Sequence, residues 1–180
     1  MSTPTAGLGE TLVDAASIQR RIGELAAEID AQYQGLHRPV VLLCVLKGAL
    51  IFTADLARQL TIPVEIDFVA VQSYGAATRS SGRPALSATA AVQLRGRDVL
   101  IVEDIIDTGY TAALVRRHLT ELGTRSVRLV TLLDKTARRT QPVQVDWRGF
   151  GIPDDFVVGY GLDHDERYRN LADVRVLDSA

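Results

Sequence analysis

The sequence predicts an α/β fold, a mostly parallel sheet with helices on both faces. Three observations carry this. Short apolar runs alternate along the chain with segments of helical periodicity. The longest runs, around Val40–Leu46 and Val99–Val102, are apolar throughout, as in strands covered on both faces. The unusual polar residues, Lys47, Ser73, Glu103 to Thr111, Lys135 and Asp163, each follow such a run. In a parallel sheet those positions share one edge, and ligands bind along it.

Taken in order, residues 1–13 offer little apolar pattern and are expected to be loosely attached. Ala15, Ile18, Ile22, Leu25, Ala26 and Ile29 stand near helical spacing, which predicts an amphipathic helix from about Asp14 to Tyr33. Val40–Leu46 is a buried strand, interrupted by Lys47-Gly48, and Ala49–Leu60 returns to a helical pattern. Val64–Val71 is rich in β-branched residues and reads as a strand. Residues 73–97 form a long hairpin or mobile loop, polar and basic at Thr78–Pro84, with strand pairing expected at Ala88–Leu94. Such a long excursion suits a lid over an active site. Val99–Ile105 is the central strand, and Tyr110–Leu122 a helix stopped by Gly123. Val127–Leu133, Val143–Trp147, Phe156–Tyr160 and Val174–Leu177 complete the strands.

The 180 residues suit a single domain spanning 1–180, and 47% hydrophobic content supports a sizeable core. A net charge of −2 gives no overall field toward nucleic acid or membrane, so neither is expected as a partner. Cys44, the lone cysteine, lies in an apolar run and reads as inert core. One cysteine forms no internal disulfide, which fits a reducing cytoplasm, and no leader or membrane-length apolar run is expected. Neither a P-loop nor a dinucleotide-binding glycine pattern is present, and His37, His118 and His164 are too dispersed to suggest a metal cluster.

The informative stretch is Val99 to Thr111. An apolar run delivers Glu103 and Asp104, then Asp107, and ends in Thr108-Gly109-Tyr110-Thr111 before a helix. Backbone N–H groups of that turn, with the Thr108 and Thr111 hydroxyls, suit a terminal phosphate at a helix N-terminus. Glu103 and Asp104 suit sugar hydroxyls or hydrated Mg²⁺, a hard cation that favours carboxylate and water. Asp107 suits a proton acceptor.

Val102 to Thr111 resembles the phosphoribosyl-pyrophosphate (PRPP) signature of the type I phosphoribosyltransferases, closest to those acting on hypoxanthine and guanine. Leu46-Lys47-Gly48, Ser73-Tyr74-Gly75, Leu132 to Lys135, Phe156 to Asp163 and Tyr168 to Leu171 also match, in order, so the resemblance runs from about Ile18 to Val176. It implies a small hood built from the terminal segments and a flexible hairpin beside the main sheet. It further implies a purine-salvage transferase for hypoxanthine, and for guanine, with Mg²⁺ as cofactor and a homodimeric or homotetrameric assembly. Implied roles are 5′-phosphate and PRPP binding by Glu103, Asp104 and Asp107 to Thr111 (Tyr110 and Gly109 included), with Asp107 also catalytic toward purine N7. Lys47, Gly48 and Arg169 meet pyrophosphate, with a cis peptide after Leu46. Lys135, Phe156, Val157 and Asp163 bind the purine, and Lys135 selects the 6-oxo group. Glu103, Asp104 and Asp163 approach the metal, and Ser73 and Tyr74 close the loop. A xanthine-preferring enzyme and a nucleotide-sensing regulator on the same fold are the alternatives. The regulator is disfavoured by the absence of a basic face and by the full set of acids.

Overall fold

A computed structural model describes residues 7–72, 85–88 and 93–178. In chain order the elements are β1 (Leu8–Val13), α1 (Ala15–Tyr33), β2 (Val40–Leu46), α2 (Leu50–Gln59), β3 (Val64–Gln72), β4 (Ala85–Ala88) and β5 (Asp98–Ile106). They continue with α3 (Tyr110–Glu121), β6 (Ser126–Asp134), β7 (Trp147–Gly151), β8 (Val157–Val158) and β9 (Val174–Leu177). The main sheet has the order β4-β3-β2-β5-β6-β7. β3, β2, β5, β6 and β7 run parallel, and β4 is antiparallel to β3 at one edge.

The apolar strands are explained by cover on both faces. Val40, Leu42, Leu100 and Val102 pack with α1 and α2 residues such as Ile22, Leu25 and Phe52. Val41, Leu43, Val99 and Ile101, one residue out of phase, pack with Ala112, Val115 and Leu119 of α3. Cys44 is fully buried and burial pushes its thiol pKa up, as an inert core residue requires. Asp14 starts α1 by accepting the Ser17 N–H at 2.9 Å, and Gly123 at φ +75° ends the α3 segment. No helix among the described residues is long and apolar enough to cross a membrane.

A second sheet, in the order β1-β9-β8, is made from the two ends of the chain, as the implied hood requires. Several expectations are corrected here. The N-terminal segment is a strand from Leu8, pairing antiparallel with β9 through Leu8↔Leu177 and Val13↔Val174. Its partner lies at the far end of the sequence, and Val13 is its one buried residue, so local periodicity is weak. The strand expected at Val143–Trp147 begins where that range ends, because Val130↔Trp147 is the first ladder pair. Before it, the Asp146 carboxylate accepts the Leu129 N–H at 2.9 Å and pairs with Arg116 and Arg128. Phe156–Tyr160 shrinks to Val157–Val158, since Gly159, Tyr160 and Gly161 all take positive φ, which no strand continues. Ala85–Ala88 pairs antiparallel with Val69–Gln72, and most of the strand pairing expected at Ala88–Leu94, residues 89–92, lies outside the described residues. Glu103 and Asp104 lie within β5, inside the strand expected over Val99–Ile105. The lid residues Ser73, Tyr74 and Thr78–Pro84 lie outside the described residues.

Candidate active site

The loops that follow β2, β5 and β6 leave the same edge of the main sheet, and the hood loop 159–169 closes over them. A cavity of about 460 Å³ lies between, lined by Lys47, Gly48, Glu103, Asp104, Asp107, Thr111, Lys135, Phe156, Val157, Asp163 and Arg169, among others. An adjoining pocket of about 90 Å³ is lined by Glu103, Asp107, Thr108, Gly109, Thr111 and Ala112. Sequence-predicted residues from five segments are thus brought together. Tyr110 lines neither space and is 55% exposed. Asp163 arrives from the hood, not from the edge of the main sheet, because β8 belongs to the second sheet.

Each wall has a local cause. The peptide between Leu46 and Lys47 is cis, as the resemblance implies. Gly48 must be glycine: a Cβ there would stand 1.6 Å from Asp104 Oδ2. Gly161 lies equally close to that loop, its added Cβ only 2.1 Å from the Gly48 carbonyl oxygen. Gly109, at φ +84°, turns the chain from β5 into α3 and leaves the first N–H groups of the helix facing the smaller pocket's turn. Tyr110 N–H reaches Thr108 Oγ1 at 3.5 Å.

Lys135 is 5% exposed, its backbone N–H donating to the Ile106 carbonyl at 2.9 Å. Its Nζ lies 3.9 Å from Asp154 Oδ1. Val157 is buried beside it in the wall, while Phe156 is 54% exposed and meets His164 edge to face at 5.5 Å. Asp107 Oδ1 pairs with Arg138 Nε at 3.2 Å, and Arg138 Nη1 reaches Asp154 at 3.4 Å. Arg138 therefore belongs to the site, although its stretch of sequence gives no sign of it. Asp154 and Glu166 were also missed, and nothing in their neighbourhood of the sequence marks them. Glu166 Oε1 pairs with Lys47 Nζ at 3.0 Å, and its Oε2 lies 3.4 Å from Arg169 Nη2. These cations hold the Glu166 carboxyl below its usual range, Lys47 most strongly. Asp163 accepts from both sides, Arg169 Nη2 at 2.8 Å and the Glu166 N–H at 2.9 Å.

The acidic pair is the electrostatic centre of the cavity. Burial raises Glu103 well above the ordinary carboxyl range, and the neighbouring Asp104 charge adds to it. Burial likewise pushes Asp104 up to about 6, against the Ile105 N–H donating at 2.9 Å. Two desolvated hard-oxygen donors side by side fit a hydrated divalent cation, which would relieve both. Among the described residues, no set of three or more His, Cys, Asp and Glu side chains is grouped to bind a metal, so such an ion would keep water or substrate oxygens as further ligands.

The fold and these walls define a class. The chain belongs to the phosphoribosyl transferase domain family, whose model matches residues 9–165. Within that family it is similar to hypoxanthine-guanine phosphoribosyltransferases. It is 45% identical over 171 residues to the one from Mycobacterium tuberculosis, covering 93% of this chain and 85% of that protein. It is 43% identical to the one from Bacillus subtilis, covering 95% and 94%. The crystal structure of a Bacillus anthracis hypoxanthine-guanine phosphoribosyltransferase superposes with a TM-score of 0.87 at 37% identity, covering 94% of this chain and 99% of that one.

Proposed function

We propose that this chain is a purine-salvage transferase that joins hypoxanthine, and guanine, to PRPP and releases pyrophosphate with IMP or GMP. The observation that carries the reading is the convergence, in one cavity, of a phosphate-sized turn, a buried lysine and a carboxylate. The turn Asp107 to Thr111 holds the 5′-phosphate through helix N–H groups and hydroxyls. Glu103 and Asp104 face the ribose hydroxyls and would hold Mg²⁺, with Asp163 approaching it through water. When bound, the ion neutralises diphosphate charge. Lys47, the Gly48 backbone and Arg169 bind the pyrophosphate and stabilise the charge it gains as its bond to the anomeric carbon breaks.

Lys135 donates to the purine 6-oxo group. An amino group there offers no acceptor and costs the buried ammonium that charged hydrogen bond, a discrimination of about 1.5–3 kcal/mol against adenine. Phe156 stacks on the base, and the Val157 backbone meets its exocyclic edge. Asp107 takes the N7 proton as the base attacks. Loop closure by Ser73 and Tyr74 keeps water from the electron-poor anomeric carbon. The test is IMP formation from hypoxanthine and PRPP with Mg²⁺ by the folded protein, with adenine, xanthine and guanine as competitors. Absence of turnover, or equal use of adenine, overturns the reading.

A further inference from the structure

We propose that Glu166 is an internal competitor for the leaving group: its carboxylate contends with pyrophosphate for Lys47 and Arg169 and so weakens binding of PRPP and speeds departure of the product. The inference rests on the proposed function, which gives those two cations the pyrophosphate. Three observations carry it. Glu166 spans both cations with its two oxygens, 3.0 Å from Lys47 Nζ and 3.4 Å from Arg169 Nη2. A diphosphate group bridges a pair of cations in the same manner, through oxygens on one anionic group.

The backbone aims the carboxylate deliberately. His164 and Arg167 form an antiparallel bridge, exchanging N–H···O bonds of 3.3 and 3.0 Å. Between them Asp165 and Glu166 have φ of +52° and +61°, the two central positions of a type I′ turn. The second of these positions favours glycine or asparagine, because a Cβ is crowded there. Glutamate is a poor choice for the turn alone, and its gain is the pair of contacts to Lys47 and Arg169. The third observation is the anchor: the Glu166 N–H donates to Asp163 Oδ2 at 2.9 Å, and Asp163 Oδ1 holds Arg169 Nη2 at 2.8 Å. The turn and the cation it engages are fixed to one aspartate, so the backbone carries the carboxylate to the two cations, while the side chain itself, 66% exposed, is free to swing out when pyrophosphate takes its place.

The consequence is an exchange of counter-charges. PRPP must expel Glu166 from Lys47 and Arg169, and Glu166 returns as pyrophosphate leaves. Both variants Glu166→Gln and Glu166→Gly remove the charge. The second also suits the positive φ, so it is expected to fold at least as well as the parent. Binding of pyrophosphate with Mg²⁺, measured by calorimetry, is expected to tighten about three- to tenfold in each variant, the range for losing exposed ion-pair competition. The KM for PRPP is expected to fall by a similar factor while the KM for hypoxanthine stays within about twofold. Asp165→Asn removes the same charge from the neighbouring turn position, which is 84% exposed and pairs only with His164 among the charges described. It is expected to leave all three constants within about twofold, since a well-solvated charge is largely screened. If the parent binds pyrophosphate and both Glu166 variants bind it no more tightly, the competitor role is wrong and the proposed function stands. If Asp165→Asn tightens binding as much as the Glu166 variants, general charge explains the effect and the proposal also fails. A folded parent that binds neither pyrophosphate nor PRPP overturns the proposed function and this inference together.

Discussion

Gly161→Ala puts one methyl group at the joint between hood and sheet, and its effect follows from two separable terms. Gly161 sits at φ +101°, where an L-residue costs about 1–2 kcal/mol. Its new Cβ would stand 2.1 Å from the Gly48 carbonyl oxygen, about 1.2 Å inside the ~3.3 Å at which carbon meets such an oxygen. That neighbour is backbone, so relief requires moving the Lys47-Gly48 loop or the hood, an overpacking cost of about 1–3 kcal/mol. The total, about 2–5 kcal/mol, corresponds to a fall in Tm of roughly 4–20 °C for a chain of this size. Gly35→Ala supplies the control: its φ is +80°, but nothing lies within 4 Å of the added Cβ. It should lose only the strain term, with kinetics unchanged. Displacing the pyrophosphate loop by about 1 Å should cost kcat/KM for PRPP on the order of 100-fold. Differential scanning calorimetry and initial rates check both numbers. A Gly161→Ala protein with parental Tm, or one that melts early yet keeps its PRPP kinetics, refutes the claim that this contact sets the loop's position.

Further outcomes follow from the same geometry. Asp107→Asn should lower kcat by about 10²–10⁴ with the KM for PRPP changed little, because a proton acceptor acts only in the reaction step. Lys135→Met should narrow the preference for 6-oxopurines over adenine by about 10–100-fold in kcat/KM, measured with both bases. Arg139→Ala should destabilise by about 1.5–3 kcal/mol in urea melts, since it leaves Asp134, whose side chain is 4% exposed, with only the Arg148 guanidinium at 3.6 Å as a charged partner. Arg139 also lies against Gly109, and the Thr140 and Gln141 N–H groups donate to the Thr108 carbonyl, so KM should rise for both substrates. For acid stability, burial raises the Asp55 carboxyl, but hydrogen bonds from Tyr160, Gln19 and Arg58 outweigh it and leave it below its ordinary value. Its contribution is therefore fully present above pH ~4 and lost as pH falls through the lowered value. Asp55→Asn should flatten that part of the stability profile, read from urea midpoints between pH 2 and 6.

The sequence made the main sheet legible because its information is local. Val40–Leu46 and Val99–Val102 are apolar at every position, and only cover on both faces makes that favourable, so α1, α2 and α3 had to lie on two sides. Once the strands are parallel, Lys47, Asp107 and Lys135 must emerge at one edge, and the cavity follows from order alone. The hood was different, because its strands are short and their partners distant: Leu8 pairs with Leu177, and β8 has only two residues. No local period reports such pairings, so β1 read as a loose end and Asp163 as one more product of the sheet edge. The missed site residues share one property: each acts on a charge that comes from another segment. Arg138 meets Asp107 across 31 positions of sequence, and Glu166 meets Lys47 across 119. An isolated arginine or glutamate reads as solvated surface, since most are. Its role becomes visible only when the fold supplies the opposite charge. The glycines reverse this logic. Gly48 and Gly161 are ordinary letters in sequence, yet each admits a neighbour that any side chain would exclude, Asp104 in one case and Gly48 itself in the other. The chain from Gly161 through Gly48 to Asp104 therefore ties the hood to the acidic pair by close approach, so a side chain at Gly48 meets the Asp104 carboxylate directly and one at Gly161 reaches it through the Gly48 backbone.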